Sequence, residues 1–189
     1  FRIHAREADT GSGNAPAAWR LCASGRLADA GPLGAAVGGT PLGLDALAAT
    51  LGPVTAGDAF YARLATRGIA LGASFNGLRR AHRRDGEALA WIELPAWLAG
   101  DAVTWAHPAL LDAALQSLGL CVPDDGEAGD SYLLTGVERA QLDGPLPRAL
   151  WCHAVLAPAS GPRPVEWRGD VTMRDDGGQV VGLLRGVSM

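Results

Sequence analysis

The 189-residue sequence contains no lysine: all sixteen of its Lys or Arg positions are arginine. Alanine and glycine are abundant as well, and this bias points to a GC-rich coding sequence, not to a polyanionic partner. Basic excess is also missing. Sixteen arginines face twenty Asp and Glu, for a net charge of -4 and a pI near 5.5. That balance argues against nucleic acid or an anionic membrane as the main partner. Cysteine is scarce, and Cys22, Cys121 and Cys152 lack paired or metal-ligand spacing. Reduced, mostly buried thiols in a cytoplasmic protein are therefore expected. The four histidines offer no metal spacing. No apolar run approaches the roughly 18 residues a membrane span needs, and no signal-peptide pattern opens the sequence. Gly38-Gly39 is followed by no lysine and no strong helix, which excludes a phosphate loop. What is present, 48% hydrophobic and 19% charged residues, can bury a core in one domain or a little more.

The most structured stretch is HPALLDAALQSLGLC, residues 107–121. Pro108 suits the first helical position, where its missing N–H costs nothing. Leu110, Leu111, Ala114, Leu115 and Leu118 fall at i, i+1, i+4, i+5 and i+8, which predicts one buried stripe. Asp112 and Gln116 are four apart and should meet on its flank. By spacing alone, Asp112 reads as a first-turn acid that stabilises the helix dipole. Beyond Cys121 the pattern changes to alternation, giving strand candidates at 132–142, 149–157, 164–174 and 179–188. A greasy helix followed by strands predicts a helix wrapped by an antiparallel sheet.

Earlier segments are more varied. Residues 1–6 and 18–25 alternate like strands around a glycine-rich turn at 11–13. A lone hairpin is marginal in water, so these strands require a sheet, either the edge of the later one or one outside this chain. Residues 29–57 read as a linker with a short helix around 44–49. Asp58 is the expected N-cap of the next helix, with Phe60, Leu64 and Tyr61 as its apolar face and Gly68 as its stop. A loop at 71–77 leads to two strands flanking Asp85-Gly86, a strong hairpin signal. Arg79, Arg80, Arg83 and Arg84 precede that turn and read as a solvated edge. The six tryptophans read as packing groups.

HPALLDAALQ resembles the active-site helix motif of the dehydratase domains of type I polyketide synthases, which have a double-hotdog fold. Phe60-Tyr61 through Gly68, then Gly72, Phe75 and Gly77, resemble the segment that opens that family's second hotdog, written with YGPxFxG, although Leu71 replaces its Tyr and Ala73 its Pro. The tail, with Gly144 to Pro147, Trp151 to Ala154 and Gly169 to Val171, resembles the closing strands. The resemblance implies an α+β hotdog, the second half of a double hotdog: residues 1–28 as terminal strands of the first hotdog, 29–57 as linker, 58–189 as the second. The HxxxGxxxxP motif, which carries the family's catalytic histidine, has no match around His4, His82, His107 or His153.

Function follows from the same resemblance. It implies elimination of water from a 3-hydroxyacyl thioester carried on the phosphopantetheine of an acyl carrier protein, with no cofactor of the domain's own. Asp112 takes the place of the general acid and Gln116 that of the residue orienting it. His107, Pro108, Leu71, Gly72 and Phe75 are the implied substrate-binding positions, His107 without a catalytic role. Other synthase domains are the implied partners, with a homodimer as a further expectation. A dehydratase-like cyclase or thioester hydrolase of an iterative aromatic synthase, and a non-catalytic structural module, are the competing readings. Without the histidine motif, the chain alone is expected to be inactive.

Overall fold

Alternating segments dominate the second half of the chain, and they pair as antiparallel strands in the computed structural model. It describes residues 1–6, 19–29, 33, 41–100, 105–123, 132–159, 161 and 164–189. The glycine-rich turn at 11–13 and Gly38-Gly39 lie outside the described residues. Two units are distinguished, Phe1–Gly31 and Pro32–Met189.

The first unit holds a two-stranded antiparallel sheet of β1 (Arg2–Arg6) and β2 (Trp19–Ser24). Phe1 and Gly25 close its open end by exchanging backbone hydrogen bonds, one from each residue's nitrogen. Every residue of both strands is exposed, including Ile3, Trp19 and Leu21. These strands are paired with each other in a sheet of two strands. Among the described residues of that unit, no layer covers their apolar groups.

The second unit is built from α1 (Leu44–Leu51), β3 (Val54–Ala56), α2 (Gly57–Thr66), β4 (Leu78–Arg84), β5 (Glu87–Glu93), α3 (Pro108–Gly119), β6 (Gly136–Leu142), β7 (Ala149–Leu156), β8 (Arg168–Arg174) and β9 (Val180–Ser188). Its seven strands run in the order β3-β4-β5-β7-β8-β9-β6, every neighbouring pair antiparallel. Gly86, at φ +84°, makes the tight β4–β5 turn that Asp85-Gly86 predicts. Alternation is clearest in β7, where Leu150, Cys152, Ala154 and Leu156 are buried between Trp151, His153 and Val155. The inward residues join Ala88, Ala90 and Ile92 of β5 and Val171 and Met173 of β8 in one core against α3. This is the helix wrapped by an antiparallel sheet that the sequence predicts, an α+β hotdog architecture.

Several local expectations are corrected. The buried stripe of α3 is rotated: Leu110, Ala113, Ala114, Ser117 and Leu118 are buried, whereas Leu111 and Leu115 are half-buried. Ala113 and Ala114 let the helix lie close to the sheet between Leu110 and Leu118, and Leu111 and Leu115 flank the contact. Asp58 is not the N-cap of α2. Ala56 is, without a side-chain cap, because β3 runs directly into the helix at Gly57. A Cβ on Gly57 would lie 2.0 Å from the Leu78 carbonyl, so glycine is required there by close approach. Part of the 29–57 stretch belongs to the second unit's layers. α1 packs against β4 and β5, and β3 pairs with β4. By alternation Leu89 faces away from α3, yet it is fully buried, on the face where His82 Nδ1 meets the Gly52 carbonyl at 2.8 Å.

The arginine cluster is solvated as expected at Arg79, Arg80 and Arg84, with Arg83 half-buried, but β4 is not an edge, since β3 pairs with it. Arg83 donates to the carbonyls of Leu120 at 2.6 Å and Val122 at 3.0 Å, clamping the end of α3 to the hairpin. Arg80 lies over Trp91 and Trp151, themselves a cross-strand pair with ring centroids 5.1 Å apart. Arg79 pairs with Glu93, and Arg84 with Glu87. Cys121 and Cys152 are buried free thiols, and Cys22 is exposed. Burial pushes the Cys121 thiol up to about 12 and the Cys152 thiol higher still. No helix among the described residues is long and apolar enough to cross a membrane.

Candidate active site

The helix α3 opens with His107 as its N-cap, whose Nδ1 accepts from the Ala109 N–H at 3.1 Å. Pro108 follows at the first helical position. The histidine side chain thus satisfies one of the helix's orphan donors. Beside it lies a cavity of about 150 Å³, lined by Leu94, Trp105, Leu110, Leu146 and Pro147. Asp112 sits a full turn into the helix, so it is not the first-turn acid that spacing alone suggests. Its position is explained by a partner instead. Gln116 Nε2 donates to Asp112 Oδ2 at 2.6 Å, the predicted i,i+4 contact.

The second proton of the Gln116 amide goes to another part of the chain. Nε2 also donates to the Phe75 carbonyl at 2.9 Å. Phe75 ends the 3-10 turn Ala73–Phe75, which Gly72 closes by accepting from the Phe75 N–H at 2.8 Å. Gly72 and Phe75 are therefore brought to the Asp112–Gln116 pair, Phe75 by its backbone while its ring is 42% exposed. Leu71 is half-buried at the start of the same loop. Gly77 brings this loop against α3, since a Cβ there would stand 2.9 Å from that of Ala113.

One residue of the site carried no signal as such in the sequence. Tyr61, read as part of an apolar helix face, donates from its hydroxyl to Gln116 Oε1 at 2.9 Å and accepts from the Leu78 N–H at 2.8 Å. Burial above all pushes its phenol up to about 12, with the nearby Asp112 charge adding to the rise. A search for i,i+4 partners on one helix could not have found it, because it lies on α2, 55 residues from its partner.

A larger concavity of about 630 Å³ lies on the other face of the sheet, around His153, Arg168, Asp170 and Arg185. Its charges are paired with neighbours: Arg168 with Glu138 at 3.0 Å and Arg185 with Asp170 at 2.5 Å. The Asp112 site is favoured over it because there a carboxyl group and its hydrogen-bond partners converge from three separate segments. Among the described residues no group of three His, Cys, Asp or Glu could hold a metal ion.

Known proteins agree with this architecture. A family model described as the polyketide synthase dehydratase N-terminal domain matches residues 39–189. One subunit of the phenolphthiocerol/phthiocerol polyketide synthase of Mycobacterium tuberculosis is 32% identical over 132 residues, covering 68% of this chain and 7% of that protein. The dehydratase domain from the CurJ module of the curacin polyketide synthase superposes on the whole chain and 62% of its own, with TM-score 0.77; at 20% identity it speaks for the fold alone. The CurK dehydratase, solved as an inactive aspartate-to-asparagine variant, is 25% identical with TM-score 0.68, over 79% of this chain and 53% of that one. The chain thus spans a small fraction of the synthases it matches and a little over half of the solved dehydratases. It belongs to the polyketide synthase dehydratase family.

Proposed function

We propose that this chain supplies the acid half of a dehydratase site that eliminates water from a 3-hydroxyacyl thioester. The thioester would be carried on the phosphopantetheine of an acyl carrier protein, and the domain would need no cofactor of its own. The observation that carries the reading is the Asp112–Gln116 contact of 2.6 Å, buttressed from a second helix and a loop. The inactivity of the aspartate-to-asparagine CurK variant adds support from a relative. We take the sheet to be the second hotdog of the pair, although the family description speaks of an N-terminal domain, because HPALLDAALQ lies on its central helix.

In the reaction, a base takes the C2 proton, the C2–C3 double bond forms, and the C3–O bond breaks. Asp112 gives its proton to the departing hydroxyl, which leaves as water. Gln116 donates to Oδ2 and so reserves that oxygen as an acceptor, which leaves Oδ1 to carry the transferable proton. The base would be a histidine from the other hotdog, since none of the four here stands in HxxxGxxxxP. His107, Pro108, Leu71, Gly72 and Phe75 would line the thioester's approach, His107 through its cavity at the helix start.

The test compares Asp112→Asn with wild type in a polypeptide carrying both hotdogs. The expected result is a loss of roughly 10²–10⁴ in turnover with little change in melting temperature. An Asn variant that turns over normally and melts lower would give Asp112 a structural role only.

A further inference from the structure

Resting on the dehydratase reading, we propose that Tyr61 is a positioning residue that locks the Gln116 amide with its NH₂ group toward Asp112 and its oxygen away from it. An amide has two faces of similar shape and opposite polarity, so its neighbours decide which way it points. Three neighbours do so here. The Phe75 carbonyl can only accept, and takes one Nε2 proton at 2.9 Å. The Tyr61 hydroxyl accepts from the Leu78 N–H at 2.8 Å, and its own proton goes to Oε1 at 2.9 Å, the nearer of two acceptors, the Phe75 carbonyl lying 3.4 Å away. The remaining Nε2 proton then has one direction left, Asp112 Oδ2 at 2.6 Å.

Turning the amide over would set its oxygen against two acceptors, the Phe75 carbonyl and Asp112 Oδ2, the oxygen that does not carry the proton. Removing the Tyr61 hydroxyl frees Oε1 to seek the released Leu78 N–H or water, and the amide loses its single orientation. The phenol is well suited to this task, since any tyrosine hydroxyl is protonated throughout the neutral range and burial only extends that range upward. It also ties α2 to α3 and to the first residue of β4, so its position does not depend on one flexible loop. A polar chain of this kind, each member satisfied by the next, specifies one arrangement.

Two experiments test the proposal, and they fail separately from the dehydratase reading. In the 189-residue chain, the ¹⁵N-labelled Gln116 side-chain amide is followed by NMR in wild type and Tyr61→Phe. Proton exchange of that NH₂ group is expected to accelerate about tenfold or more, and its resonances should cease to respond to Asp112→Asn. An unchanged exchange rate in a natively folded variant overturns the proposal. Should Tyr61→Phe fail to fold, replacing both tyrosines by 3-fluorotyrosine keeps the shape and alters the donor. A Gln116 amide that does not shift then overturns it as well. The second experiment is a double-mutant cycle in a polypeptide carrying both hotdogs. Tyr61→Phe should lower kcat about tenfold with KM nearly unchanged, and add nothing once Gln116→Ala is present. Additive losses would mean that Tyr61 does not act through Gln116. Normal turnover by Asp112→Asn would instead remove the dehydratase reading, with the NMR result still deciding the amide's orientation.

Discussion

Glu87 shows how a single side chain couples this fold to pH. Burial alone would raise its carboxyl, but hydrogen bonds from His153, at 2.8 Å, and Arg84 outweigh it and hold the group below its usual range. A carboxylate lowered on folding contributes stability above its unfolded value, near 4.5, and that contribution is lost as pH falls through the folded value. Glu87→Gln should therefore lower the melting temperature at pH 7, and the gap from wild type should be smaller at an acid pH below 4.5. A gap of equal size at both pH values would contradict the linkage. Gly77 offers a second test, of space this time. A methyl there would meet Ala113 Cβ at 2.9 Å and the Glu93 carbonyl at 3.1 Å. Gly77→Ala should cost about 1–3 kcal/mol, as overpacking does, measured by denaturant unfolding.

Among the elements, α3 decides both stability and site geometry. Leu118 is fully buried against β5, β7 and β8, while Leu111 and Leu115 are only partly covered. Leu118→Ala should cost roughly 2–5 kcal/mol. Leu111→Ala or Leu115→Ala should each cost about 1 kcal/mol, the share of a half-buried leucine. Equal losses at the three positions would mean that the stripe is not rotated as described. The rotation matters for chemistry, because it turns the residues between the stripe's rows, Asp112 and Gln116, toward Tyr61 and the Phe75 carbonyl. Arg83 holds the far end of the same helix through the Leu120 and Val122 carbonyls, and so limits how far it can swing.

At the scale of the whole molecule, the main core contains no described residue of the first unit. Residues 32–189 alone should unfold cooperatively, with a melting temperature within a few degrees of the full chain. A collapse of cooperativity on removing residues 1–31 would show that the first unit supports the core. The 189-residue chain should also fold without turning over a 3-hydroxyacyl thioester surrogate, whereas a polypeptide carrying both hotdogs should turn it over. Clear turnover by the shorter chain, abolished by Asp112→Asn, would direct the search for the base to His4 or His82.

Period and spacing were enough to determine most of the elements, β3 and the start of α2 excepted. Alternation over 132–188, the Asp85-Gly86 turn and the apolar rhythm after Pro108 each depend on near neighbours; they give the later strands, the hairpin and the helix as read, but not which leucines the helix buries. The Asp112–Gln116 contact was legible for the same reason, because four residues along a helix is a fixed distance. What tertiary structure decided is everything set by residues far apart in sequence. Which leucines of α3 face the sheet depends on how closely Ala113 and Ala114 let it approach, and this leaves Leu111 and Leu115 at the margin. Asp58 loses its capping role because a neighbouring strand requires the helix to begin at Gly57. The arginines of β4 find carbonyls, indoles and carboxylates that sequence alone does not bring near them. Tyr61 becomes part of the site only because α2 crosses the start of β4 beside Gln116. A phenol on an apolar helix face has the same local pattern whether its hydroxyl is idle or holds an amide, and only the fold supplies the partner.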